Sequence, residues 1–211
     1  MTVVAFDFDG TLADSEMTAH LAARKGVEDR MTEITERAMR GELDYAESLR
    51  RRVALLSGLD EDDLAAAFEH VTLRPGAAAV IDAVRAAGND AVVLTGGFER
   101  GVRQALAAGG VEVDGLVANR LSVVDGRLTG DVSGPLVEGT KDDALRRVAA
   151  ERGHGLEETV AVGDGANDVP MLEVAGLPVG FDPKPGVGEA ADVTVETMAE
   201  LRTVLAERGV F

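Results

Sequence analysis

The sequence predicts an α/β fold: a Rossmann-like parallel sheet flanked by helices, carrying an inserted small helical cap domain and a β-hairpin. Three observations lead there. Short apolar runs end three times in polar, glycine-rich turns: Val3–Phe6 before DFDGT, Ala91–Leu94 before TGG, and Thr159–Val162 before GDGAND. From residue 75 onward, strand-like and helix-like stretches alternate, the pattern of a parallel sheet covered on both faces. Between the first strand and that region, residues 16–74 read as helical with no convincing strand. The expected division is therefore 1–15 with 75–211 as the catalytic core, and 16–74 as the cap inserted after the first strand.

Taken in order, Val3–Phe6 is a buried strand, and Gly10-Thr11 turns the chain away. Asp44 and Glu47 form a D-x-x-E capping signal, after which Tyr45, Leu49, Val53 and Leu56 recur at helical spacing. Another helix is expected through Asp62, Leu64, Ala65 and Phe68 to Val71. Residues 77–87 are amphipathic, 91–94 form a strand ending at Thr95-Gly96-Gly97, and 98–108 return to helix. Residues 121–132 read as a hairpin turning at Asp125-Gly126. A helix over 141–152, a strand over 159–162 and a helix over 169–175 follow. Short strands at 177–181 and 193–195 and a helix over 198–208 complete the chain.

The composition narrows the function. With 211 residues the chain can bury a sizeable core, and its 45% hydrophobic content is ordinary for a globular protein. The charge is not: 38 acidic against 21 basic residues leaves −17, a surface that repels polyphosphate backbones and argues against nucleic-acid partners. The only lysines are Lys25, Lys141 and Lys184. Excess carboxylate with few lysines suits a salt-rich, halophilic cytoplasm, where self-repulsion is screened. There is no cysteine, hence no disulfide, thiol nucleophile or cysteine metal site. No leader-like N-terminus or membrane-length apolar run is found, so a cytoplasmic location is expected.

Ligands of an open parallel sheet bind outside the carboxyl ends of its strands, which brings the three polar turns to one crevice. Singly, each is ordinary turn chemistry. Together they assemble Asp7, Asp9 and Asp164 with Lys141 at the start of a helix. Two carboxylates about 4 Å apart repel by about 4 kcal/mol at an effective dielectric near 20, so the cluster calls for positive charge. Oxygen-only ligands favour a hard cation, and Mg²⁺ characteristically takes one or two carboxylates, waters and a substrate phosphate. The Thr95 hydroxyl and the amides around Gly96-Gly97 offer hydrogen bonds to anionic oxygens. Residues two apart on a strand share a face, so Asp7 and Asp9 are expected to face one ligand. One carboxylate can then attack phosphorus while the other protonates the leaving oxygen and later activates water.

The set DFDGT at 7–11, TGGF at 95–98, Lys141 and GDGAND at 163–168 resembles the haloacid dehalogenase superfamily of aspartate-nucleophile phosphatases, over nearly the whole chain. Within it, AMRGELDYAESLRRRVALL at 38–56, ANRLSVVDGRLTG at 118–130 and VAVGDGANDVPMLEVAG at 160–176 are similar to the archaeal and bacterial phosphoserine phosphatases. The resemblance implies that Asp7 is the nucleophile and Asp9 the general acid/base. It implies Mg²⁺ held by Asp7, the Asp9 carbonyl and Asp164, with Asp168 in support. Thr95, Gly96, Lys141 and Asn167 match phosphate-binding positions. On the cap, Glu16 matches the residue receiving the substrate ammonium, Arg52 the residue binding its carboxylate, and Met39 and Tyr45 the apolar wall. Three positions depart from the close relatives: Thr95 and Gly10 stand where serine is usual, and Tyr45 where phenylalanine is frequent. None removes a catalytic group.

The function implied is hydrolysis of O-phospho-L-serine, a small-molecule phosphate ester, through an aspartyl phosphate, the last step of serine synthesis by the phosphorylated pathway. The alternative enzyme is a related phosphatase or phosphotransferase acting on another small phosphate such as phosphohomoserine. A phospho-accepting receiver-like signalling domain also uses Asp, Thr and Lys on a parallel sheet, but lacks an inserted cap. Arg50-Arg51-Arg52 also reads as a solvated helix face, and Glu16 as a first-turn charge complementing a helix dipole. Met17, Met31 and Met39 read as cap core, and His20, His70 and His154 as structural or surface residues.

Overall fold

The computed structural model describes residues 1–211. Its strands are β1 (Val3–Phe6), β2 (Asp90–Phe98), β3 (Gly115–Val124), β4 (Arg127–Ser133), β5 (Thr159–Gly163), β6 (Leu177–Phe181) and β7 (Val193–Val195). They form one seven-stranded sheet in the order β4-β3-β2-β1-β5-β6-β7. Every pairing is parallel except the β3–β4 hairpin. Phe6 at the end of β1 lies opposite Val93 of β2 and Val162 of β5, so the three strands that precede the polar turns are adjacent and end at one level. The chain leaves β1 for one side of the sheet and later returns to its other side at β5, which makes β1/β5 the switch point where a crevice opens.

Four helices fall within residues 16–74, after β1: α1 (Met17–Lys25), α2 (Glu28–Met39), α3 (Tyr45–Ala54) and α4 (Glu61–Phe68). The Asp44 carboxylate accepts from the Glu47 amide at 2.7 Å, so the capping signal starts α3 as read. The remaining helices are α5 (Ala77–Ala86), α6 (Glu99–Ala108), α7 (Pro135–Glu138), α8 (Lys141–Glu151), α9 (Val169–Val174) and α10 (Met198–Glu207). None is long and apolar enough to cross a membrane.

Strand alternation divides the core. Val4 and Phe6 of β1 point into the larger apolar cluster, while Val3 and Ala5 point into a second one with Leu136 of α7, Leu145 and Val148 of α8, and Met171 and Leu172 of α9. Full burial of such side chains contributes about 1.5–3 kcal/mol each. The larger cluster also holds Met17, Leu21, Leu49, Val53 and Phe68 from the inserted helices alongside Val80 and Val102. Apolar packing thus runs unbroken from the insertion into the core, with Phe68 of α4 against Phe98 at 6.5 Å between ring centroids. Met17 and Met31 are buried there, but Met39, read as cap core, is 79% exposed because it ends α2 past its buried face.

The hairpin is longer than the sequence indicates. Asp125 (φ 49°) and Gly126 (φ 73°) make its tight turn as expected. However, β3 begins at Gly115, where it pairs with Val92 of β2, so the hairpin is the outward extension of a core strand. It clasps the α3–α4 connection: the Gly58 amide donates to the Leu128 carbonyl at 2.7 Å, Leu128 returns a bond to Leu59 at 2.9 Å, and Glu61 donates to Gly126 at 2.9 Å. The strand ending in TGG also runs further than read, through Phe98, with its register against β3 broken between Leu94 and Phe98.

Candidate active site

Asp7 continues the ladder of β1, donating its amide to the Val162 carbonyl at 2.8 Å. It shares the side of Val3 and Ala5, the side covered by α8, and the first residue of α8 is Lys141. Strand parity does not deliver Asp9, contrary to the sequence reading. The strand ends at Phe6, and a turn closed by Thr11 and Ala13 amides onto the Phe8 carbonyl carries Asp9 instead. Its Oδ2 accepts from the Met17 amide at 3.4 Å, so Asp9 supplies α1 with the terminal carboxylate that the helix's own preceding residue, Glu16, does not. Its Oδ1 is buried and has no hydrogen-bond partner. Gly10 has φ 85°, and a Cβ there would run into the Asp164 carboxylate.

Lys141 is buried between two buried carboxylates. Its Nζ lies 2.5 Å from Asp7 Oδ1 and also donates to Asp168 Oδ1. Asp168 Oδ2 accepts from the Asp164 and Gly165 amides at 3.0 and 2.9 Å, which fixes the loop after β5. Asp164 accepts from the Thr11 hydroxyl at 3.4 Å on Oδ1 and from Lys184 Nζ at 2.8 Å on Oδ2. Burial, then the neighbouring Asp168, pushes Asp7 up to about 8 despite Lys141. Burial, then Glu16 and Asp7, raises Asp9 well above the ordinary carboxylate range. Burial raises Asp164, against the opposing pull of Lys184. For Lys141, burial opposes its charge, but Asp168 and Asp7 outweigh that and raise its pKa. The site holds more negative charge than its two lysines offset.

Thr95 is buried, and its Oγ1 accepts from the Gly97 amide at 3.0 Å. Tyr45, the first residue of α3, reaches across with its hydroxyl against Gly96, where any Cβ would displace it. The residue is 37% exposed, yet burial of the hydroxyl end pushes its pKa up to about 12, leaving it a donor at neutral pH. Arg52 of α3 faces the same place: its charge acts on the Tyr45 hydroxyl, and its Nε is buried without a partner. Glu16 is exposed and 3.3 Å from Lys184. Asn167 is half-buried in the loop after β5. Met39 alone among the candidates is not drawn in; it stands on the surface at the end of α2.

The family model for haloacid dehalogenase-like hydrolases matches residues 4–173. The chain belongs to the haloacid dehalogenase-like hydrolase family. A phosphoserine phosphatase of Halobacterium salinarum is 57% identical over 210 residues, covering 100% of both chains. A phospho-aspartyl intermediate analogue of phosphoserine phosphatase superposes with a TM-score of 0.88 at 40% identity, covering 98% of each chain. A substrate-bound phosphoserine phosphatase superposes equally well, TM-score 0.88 at 39% identity, over 98% of this chain and 97% of that one.

Phosphatases of the haloacid dehalogenase-like family use a divalent metal, and this donor set fits one. Carboxylate oxygens of Asp7, Asp164 and Asp168 lie within 4.8 Å of one another, all three residues buried. The orphaned Asp9 oxygen and the three raised carboxylates mark the same shortage of positive charge. Asp168, expected in support, bonds Lys141 with one oxygen and accepts the Asp164 and Gly165 amides with the other.

Three residues that hold the site escaped the sequence reading as functional. The Asn119 side chain, fully buried in β3, donates to the Gly96 carbonyl at 3.0 Å and accepts from the Leu136 amide at 3.1 Å, tying the TGG turn to the segment that leads to Lys141. Arg74 donates to the Gly10 carbonyl at 3.1 Å and stacks over Phe181 at 5.2 Å. Lys184 is the third. Only Asn119, a polar residue after the apolar run Leu116-Val117-Ala118, left a signal in the sequence.

Proposed function

We propose that the chain is a cytoplasmic, Mg²⁺-dependent phosphomonoesterase that hydrolyses O-phospho-L-serine to L-serine and phosphate through an aspartyl phosphate. The observation that carries this reading is the buried convergence of Asp7, Asp164 and Asp168 at the ends of β1 and β5, with Lys141 bonded to Asp7 and Asp168. The full-length likeness to a phosphoserine phosphatase supports the choice of substrate.

In this reading, Asp7 attacks phosphorus, the bond from phosphorus to the serine oxygen breaks, and Asp9 gives that oxygen a proton. Burial and two neighbouring carboxylates, Glu16 and Asp7, raise the pKa of Asp9 and favour its protonated form, which suits it to the acid role. Asp9 then takes a proton from the water that attacks the aspartyl phosphate, and phosphate and Asp7 are released. Lys141 anchors one oxygen of Asp7 and offsets charge on the transferring group, with Thr95, Gly96 and Asn167 binding its oxygens. Asp7, the Asp9 carbonyl and Asp164 would hold Mg²⁺, which supplies further charge neutralisation when bound. Glu16 receives the substrate ammonium and Arg52 its carboxylate, with Tyr45 walling the pocket. Residues 16–74 serve as the cap of a core formed by 1–15 and 75–211. Met39 joins the wall only if that cap closes, since it is exposed as described.

The test is phosphate release from L-phosphoserine, phosphohomoserine, phosphoglycolate and an aryl phosphate, with and without Mg²⁺. L-Phosphoserine should be turned over best, and only with the metal. Arg52→Ala should lose at least tenfold more kcat/KM on phosphoserine than on the aryl ester, because a bidentate contact to a carboxylate is lost on one substrate alone. Equal losses would remove Arg52 from substrate recognition.

A further inference from the structure

We propose that Lys184 is a positioning residue that holds the metal-site carboxylate of Asp164 and the Glu16 carboxylate of the inserted segment as one unit. Its Nζ is 2.8 Å from Asp164 Oδ2 and 3.3 Å from Glu16 Oε1. Its backbone amide donates to the Asp164 carbonyl at 2.8 Å, so it is tied to that residue at both ends. The segment that carries it is stiff: Pro183 and Pro185 flank the lysine and fix their own φ, the Asp182 amide donates to the Val195 carbonyl at 2.7 Å, and Val187 closes a turn onto the Lys184 carbonyl at 3.1 Å.

Asp164 is consequently oriented through both oxygens, by Thr11 on Oδ1 and Lys184 on Oδ2. Carboxylates that ligate metals depend on such outer partners, and losing one typically weakens metal affinity 10–100-fold. The same ammonium engages one oxygen of Glu16 and leaves Oε2 open to a substrate ammonium. A compact lysine charge can sit between two carboxylates of different segments in this way, where the planar guanidinium fork of arginine favours a bidentate grip on one. The inference rests on the proposed phosphoserine reading for its Glu16 half and on the metal alone for its Asp164 half.

Two readouts test it, on wild type, Lys184→Met and Lys184→Arg. By titration calorimetry, Lys184→Met should bind Mg²⁺ at least tenfold more weakly, with Lys184→Arg between the two and the melting temperatures in EDTA alike. Equal binding overturns the proposal, and so does tighter binding, which would make Lys184 a rival cation at Asp164. In kinetics at saturating Mg²⁺, Lys184→Met should raise KM for phosphoserine several-fold more than for an aryl phosphate. A matching rise on both overturns the Glu16 half. If wild type hydrolysed the aryl ester but not phosphoserine, the substrate reading and the Glu16 half would fall together, and calorimetry would still decide the Asp164 half.

Discussion

At Asp7, one carboxyl group sits under opposing influences: burial and Asp168 hold its proton on, and Lys141 pulls it off. A group whose folded pKa of about 8 lies above its unfolded value of 3.8 contributes stability that is fully present below 3.8 and lost as pH rises through about 8. Asparagine cannot ionise, so in EDTA the melting temperature of Asp7→Asn relative to wild type should climb from about pH 5 to about 8 and level off above that. A difference that stays level would show that burial does not penalise the Asp7 charge. The same variant should release no phosphate, since the attacking group is gone. Asp7, Asp9 and Asp164 were legible in the sequence because each closes an apolar run in a glycine-rich turn. Lys184 and Arg74 were not, because their partners lie 20 and 64 positions away or more, and no local period encodes such a pairing.

Among the elements, strands that end in polar turns and helices with clear caps were readable, since hydrophobic period and capping chemistry are local. The hairpin turn was readable for the same reason, whereas the start of β3 at Gly115 depends on pairing with β2 and leaves no alternation of its own. The short α7 is likewise held from outside, by Asn119. Helices 16–74 were legible as helices, but not their fusion with the main core. That fusion has a measurable consequence at Leu49, buried in α3 within the cluster that also contains Val80 of α5. Leu49→Ala removes a buried side chain and should cost about 2–5 kcal/mol. Because the packing is continuous and the hairpin clasps residues 58–61, the loss should lower one calorimetric transition for the whole chain. Two separated transitions, with only the first displaced, would instead mean that the inserted helices unfold by themselves.

Across the whole molecule, the net charge of −17 sets how stability responds to salt. Two effects of salt compete. Added KCl weakens the surface ion pairs, such as Arg50 with Glu138 at 2.9 Å and Arg127 with Asp60 at 3.0 Å, whose side chains are half or more exposed. Pairs of that kind contribute about 0–1 kcal/mol each and are already partly screened. Salt also relieves repulsion among the carboxylates left over once every cation is matched, 38 − 21 = 17 of them. That repulsion acts over longer distances than a contact pair, so it is the larger reserve at low ionic strength and the one screening removes. The melting temperature is therefore expected to rise from 0.1 to 1 M KCl, by several degrees. Most of the gain should come early, because the Debye length shrinks from about 10 to about 3 Å over that range, below the spacing of typical surface charges. Scans in KCl and NaCl at matched ionic strength should superpose if screening is the cause. A melting temperature that stays flat or falls would mean the ion pairs outweigh the repulsion, and the acidic surface would then need a reason other than salt.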